Sequence, residues 1–228
     1  MFDVIIDDRS MNDAGLKVAS RPLILSPEKK YLTRTALNRD GALYRDMGTF
    51  EDVEISVDFN FMTNERRWNE FFRWAKTQIW NAKELMFSDD QHVFRKVKKA
   101  AITSVKRPTP QIGTVTAVFT VDPHSYLVPG KHRFRDPEDF IFNQWDECCP
   151  IYCVQGSGIL TVNGSQMRFD AGEMLCIDTD REITYNWARQ NRNAAVSGSY
   201  KGLHLNPGMN EISVTGGMLQ VIPNWRFL

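Results

Sequence analysis

The chain has 228 residues, 42% of them hydrophobic, with 28 Lys and Arg set against 28 Asp and Glu. That balance leaves no global field to recruit nucleic acid or an anionic membrane, and the length suits two modest cores. The N-terminal stretch carries Asp3, Asp7 and Asp8 where a secretory signal needs a basic start and an apolar block.

In chain order, Phe2 to Asp7 alternates enough to predict an opening strand, and residues 7–15 have turn chemistry. Arg21-Pro22 and Ser26-Pro27 interrupt residues 16–34, which read as a short hairpin or an extended arm because each proline restricts pairing to an edge or a bulge. Such a segment either contacts a neighbour or is an ordinary surface loop. Asp40-Gly41 predicts a tight turn with Gly41 at positive φ. From Val53 to Phe61, apolar residues alternate with Glu54, Ser56, Asp58 and Asn60, the pattern of a strand buried on one face. Thr63 or Asn64 then caps a helix in which Trp68, Phe71, Phe72, Ala75 and Ile79 form one apolar stripe. Strand and helix are expected to be two layers of one core.

Glu84 to Phe87 and His92 to Val105 predict two strands joined at Ser88-Asp89-Asp90. The second is basic, with Arg95, Lys96, Lys98 and Lys99, followed by Lys106 and Arg107. Only Phe94 interrupts the run, so it lacks the aromatic platform of a nucleic-acid site. A solvated face, or one meeting Glu51, Asp52, Glu54 or Asp58, is the expectation. Thr114 to Asp122 closes this half. The composition then changes to turn signals and charge, and the expected division is a domain over 1–130, a linker over 131–140 and a second domain over 141–228.

In the second half, 151–154, 158–162, 167–169, 174–178, 182–187, 211–214 and 218–222 read as short strands, with a hairpin signal at Asn163-Gly164. An all-β sandwich or barrel follows. The uncharged run from Cys148 to Met167 contains Pro150, Gly156, Gly158 and Gly164, and no membrane segment is expected there.

The four cysteines, Cys148, Cys149, Cys153 and Cys176, lack paired C-x-x-C spacing, and His92, His124, His132 and His204 lack the spacing of a helical metal pair. They are expected to be thiols of a reducing cytoplasm. Gly156-Ser157-Gly158 lacks the frame of a nucleophile elbow. The rhythm Val154–Gly158, Val162–Gly164 and Phe169–Glu173 is similar to a cupin half-barrel, but no histidine lies between His132 and His204 to hold its metal. A carbohydrate-binding module is the other alternative, with Trp145, Trp187 or Trp225 available to stack on sugar rings. No catalytic, cofactor-binding or metal-binding residue and no cofactor is therefore predicted. The second-half interior is expected to hold Ile159, Val162, Met174, Ile177, Ile183, Val214 and Val221 or their strand neighbours.

Several stretches in order carry a resemblance. Ile6-Asp7, Met11, Gly15-Leu16, Arg39-Asp40-Gly41-Ala42-Leu43, Gly48-Thr49-Phe50-Glu51-Asp52 and Val121-Asp122-Pro123-His124-Ser125-Tyr126 resemble the N-terminal domain of siphophage distal tail proteins. Gly156-Ser157-Gly158, Ile177-Asp178 and Leu205-Asn206-Pro207-Gly208-Met209-Asn210 are similar to that family's C-terminal domain. One departure is Leu37-Asn38, where many relatives have Pro-Gly. The resemblance implies a mainly β chain: a sandwich-like N-terminal domain with one amphipathic helix and a galectin-like C-terminal sandwich. It implies a non-enzymatic virion protein, made in the host bacterial cytoplasm. Such proteins form a hexameric ring that joins the tail tube to the tail tip or baseplate, with no sequence-specific nucleic-acid binding. An extended hairpin reaches a neighbouring subunit in that ring. The chain has no room for the inserted carbohydrate-binding modules of larger relatives.

Overall fold

Period-two patterning builds the first half of the chain. The structure, a computed structural model, describes residues 2–35, 37, 40–132, 134–135 and 140–228. Two compact units divide the chain, Met1–Ser125 and Tyr126–Phe227. In the first, β1 (Val4–Ile6) turns through Asp7 and Asp8, both left-handed at φ 48 and 64, and returns as β2 (Arg9–Ser10). There follow β3 (Lys17–Val18), β4 (Lys29–Thr35), β5 (Ala42–Phe50), β6 (Val53–Met62), α1 (Trp68–Trp80), β7 (Glu84–Phe87), β8 (Asp90–Lys106) and β9 (Ile112–Val121). The strands run in the order β2-β1-β7-β8-β9-β6-β3. The long β8 joins the two parts of this array. Its first residues pair with β7 up to Glu84↔Lys96, and the rest pair with β9 from Val97↔Val121 to Lys106↔Thr114 across register shifts.

Along β6, Val53, Ile55, Val57, Phe59 and Phe61 are buried, while Glu54, Ser56, Asp58, Asn60 and Met62 are exposed. The expected cap is present: the Asn64 side chain accepts the Arg66 N–H at 3.0 Å, opening a single 3-10 turn that leads into α1. On α1, Trp68, Ala75 and Ile79 are buried, and Phe71, Phe72 and Trp74 pack on the same core. Phe61 lies 4.8 Å from Phe71 and 5.5 Å from Trp68, centroid to centroid. Burying each large side chain is worth about 1.5–3 kcal/mol. Helix propensities differ by only about 0.7 kcal/mol per residue among ordinary residues. Packing on β8 and β9 and against Phe61 of β6, not intrinsic preference, holds this helix.

The basic strand meets acid as expected. Lys98 Nζ lies 2.6 Å from Asp52 and 3.3 Å from Asp122. Of the two readings of residues 16–34, a hairpin within the segment is the one that the structure does not form. Residues 21–28 have no regular structure, and the hairpin is formed by β4 and β5 instead of lying within residues 16–34. Prolines 22 and 27 remove ladder donors, so pairing starts only at Lys29. Arg39 and the preceding Asn38 lie outside the described residues, so the expected tight turn is seen only from Asp40; Gly41 has φ +78.

The second unit contains β10 (Ser125–Leu127) at its start, β11 (Phe134–Arg135), β12 (Phe140–Asn143), β13 (Ile151–Val162), β14 (Ser165–Asp178), β15 (Ile183–Asn186), β16 (Val196–Gly198), β17 (Gly208–Ile222) and β18 (Arg226–Phe227). Residues 133 and 136–139 of the expected linker lie outside the described residues. Of its remainder, Lys131 ends a 3-10 turn, and Phe134 and Arg135 pair with Val221 and Gln220.

Six of the seven short strands expected here are halves of three long ones, and the seventh is β15. β17, β13 and β14 are neighbours in one seven-stranded sheet. One end of β17 pairs with β12 and the other with β11, while β14 pairs first with β16 and then with β15. Two glycines that lie between the expected short strands are corners within long ones. Gly156 and Gly216 have φ +100 and +75, and the β13 register shifts at Val154/Gly156 against β14 and at Gly156/Ile159 against β17. A side chain at Gly158 would overlap the Thr215 carbonyl, so the backbones can approach only because it is glycine. The corner also changes the inward set on β17, from Ile212 and Val214 to Leu219 and Val221. Val162, Ile177 and Val221 are buried as expected. Ile159, Met174, Ile183 and Val214 are only half-buried, and their neighbours Leu160, Leu175 and Leu219 fill the interior.

Candidate assembly interface

The β4–β5 hairpin is a two-stranded sheet of its own. Its register, Tyr31↔Asp46, Leu32↔Arg45, Thr33↔Tyr44 and Arg34↔Leu43, puts Tyr31 and Tyr44 on one face and Leu32 and Leu43 on the other. The tyrosine rings meet edge to face at 6.3 Å. Tyr44 is 70% exposed and Tyr31 51%, and Leu32, Leu43 and Met47 are exposed as well. Leu23, Ile24 and Leu25, leading into the hairpin, are also exposed. An isolated two-stranded hairpin is marginal in water, and clustered exposed apolar side chains mark an interaction surface.

The root of the hairpin is tied by charge. Lys29 Nζ lies 3.1 Å from Asp46, which also accepts the Gly48 N–H at 2.8 Å. That backbone bond, then Lys29, holds the Asp46 carboxyl below its ordinary value. Gly48 takes φ +69. Lys30 reaches Glu51 at 3.5 Å. Beneath lies a cleft of about 300 Å³ lined by Leu25, Pro27, Glu28, Glu51, Asp52 and Glu54 among others, so its rim is acidic. Nearby, Asp122 is held well below the usual carboxylate range. Burial opposes its charge, but hydrogen bonds from the His124 side chain and N–H and the Lys98 ammonium outweigh it.

The residues weighed for chemistry do not converge. Ser157 donates to Asp170 at 2.5 Å on an exposed strand face. Trp145 stacks near Phe227 at 5.5 Å and Trp225 packs on the core, while Trp187 is 64% exposed. His204 Nδ1 meets the Glu147 carboxylate at 2.5 Å, and its pKa is pushed up to about 9 by its hydrogen bond to Cys149 and then, against burial, by Glu147. Among the described residues no three His, Cys, Asp or Glu side chains are grouped to hold a metal ion, and no helix is long and apolar enough to cross a membrane. Sequence reading missed the hairpin as a unit; the one signal available was the Asp40-Gly41 turn between residues 29–35 and 42–50.

The two β-rich units, the first bearing one helix and a separate exposed hairpin, define a mainly β, two-unit fold that is shared with a solved structure. The particular likeness is to the crystal structure of SPP1 Dit (gp 19.1), described as a paradigm of the hub adsorption apparatus in phages infecting Gram-positive bacteria. It has a TM-score of 0.63, 12% identity, and coverage of 100% of both chains. No family model and no curated protein matches the chain.

Proposed function

We propose that this chain is a structural protein of a long non-contractile phage tail, forming a hexameric ring at its distal end that joins the tail tube to the tail tip or baseplate. The full-length likeness in fold to SPP1 Dit carries this reading. The hairpin supports it: Tyr31, Leu32, Leu43 and Tyr44 are costly to leave in water, and a neighbouring subunit in a ring would cover them. The second unit fits a scaffold, since its interior is filled by Tyr152, Val154, Leu160, Met167, Phe169 and Leu219. Immunogold labelling of purified particles with antibody to this chain tests the assignment. Label at the distal end of the tail is expected; particles that lack the chain overturn it.

A second reading rests on one observation, the exposure of Trp187 beside the Arg189–Tyr185 stack at 4.8 Å. Such a surface suits a sugar ring. Glycan-array binding by the intact chain, lost in Trp187→Ala, would favour attachment to a host glycan in addition to the scaffold role.

A further inference from the structure

Cys153 and Cys176 are cross-strand partners on β13 and β14, 23 positions apart in sequence. Their sulfurs lie 2.7 Å apart and both residues are buried thiols. A disulfide needs an S–S distance of about 2.03–2.05 Å and Cα atoms about 4.4–6.8 Å apart. Directly opposed residues of an antiparallel pair sit at about 4.5 or 5.5 Å, so the backbone already satisfies that requirement. Only a small rotation of the side chains separates the two states. The other cysteines are placed differently. Cys148 forms a bridge with Leu205 and donates to the Asp146 carbonyl at 3.1 Å, while Cys149 hydrogen-bonds His204.

We propose that Cys153 and Cys176 are a redox modification site, converted to a cross-strand disulfide by a low-molecular-weight disulfide such as oxidised glutathione. Cys176, 6% exposed against 1% for Cys153, is the first to be reached. Its thiolate attacks one sulfur of glutathione disulfide and expels one glutathione thiolate. The Cys153 thiolate then displaces the second glutathione from the mixed disulfide. The two cysteines together lose two electrons and two protons, and one glutathione disulfide becomes two glutathione thiols.

The bond would pin β13 to β14 beyond the corner at Gly156, where the register is irregular. It lies at the end of the hairpin away from the Asn163-Gly164 turn, so it would constrain the half that the turn does not. If the chain is a virion component, it passes from a reducing cytoplasm to an oxidising exterior, and the staple would form after release. That timing rests on the proposed function; the chemistry of the pair does not.

Peptide mapping of the intact chain tests the pair directly. The reduced chain is incubated with oxidised glutathione, then unfolded with an alkylating agent, digested and analysed by mass spectrometry. The expected product has residues 153 and 176 joined, with Cys148 and Cys149 alkylated. Cys176→Ser should then yield no internal cross-link. Four alkylated cysteines, glutathione adducts without a cross-link, or a cross-link through Cys148 or Cys149 would overturn the proposal. Mapping of the unsubstituted chain stands by itself should the variant fold poorly.

Discussion

Gly113 on β9 lies opposite Phe61 on β6, and the Phe61 ring occupies the space that a Cβ at position 113 would need. The missing side chain lets Phe61 lie against Trp68 and Phe71 at the start of α1. Gly113→Ala is therefore expected to displace the ring and destabilise the chain by about 1–3 kcal/mol through overpacking. Urea unfolding followed by tryptophan fluorescence checks this. An unchanged midpoint would mean that β9 yields without disturbing the helix.

Gly41 presents the opposite case. Nothing lies within 4 Å of a Cβ built there, so space is no obstacle, but its φ of +78 is one that side chains with a branched Cβ avoid. Gly41→Val should cost about 1–3 kcal/mol by backbone strain alone. Because the hairpin is exposed, hydrogen exchange of the β4–β5 amides is the appropriate measurement. Exchange of those amides should rise while protection in β6 and β9 stays unchanged.

The second unit should lose stability on the alkaline side through His204. Its folded pKa of about 9 lies above the ordinary 6.5, so the fold favours the imidazolium. The stabilisation is fully present below pH 6.5 and is lost as pH rises through about 9. Since the Glu147 carboxylate is half exposed, solvent screening leaves on the order of 1–2 kcal/mol. Denaturation of the intact chain across this range, compared with His204→Asn, should show the alkaline decline reduced in the variant.

Asp122 acts on the acid side of the first unit. Its folded pKa lies below the ordinary 3.8, so its contribution is present above that value and lost as pH falls through the folded one. Asp122→Asn removes the charge that faces Lys98 and His124. The variant should be less stable at neutral pH and show a shallower acid limb, as read by thermal unfolding at successive pH values.

The elements whose burial alternates or recurs without interruption were legible in the sequence. β6 and α1 follow from Val53–Phe61 and the Trp68–Ile79 stripe because each buries one continuous face against the other. The second unit was legible as mainly β but not in its connections. Gly156 and Gly216 carry the same local signal whether the chain reverses or bends, and the choice is made by partners distant in sequence. The hairpin was obscured for another reason. Both its faces carry apolar residues and neither is buried in the isolated chain, so the pattern that identifies a core strand is absent. Lys98 with Asp52 was foreseeable from charge, whereas the Cys153–Cys176 contact depends on a register that no cysteine spacing encodes.

Assembly through the hairpin is the central claim, and light scattering of the intact chain with and without Tyr31→Asp and Tyr44→Asp measures it most directly. The account predicts a mass six times that of the chain, falling to that of a monomer in the doubly substituted chain while its circular dichroism is retained. A monomer at every concentration, even with tail partners added, or a hexamer indifferent to both substitutions, would contradict it.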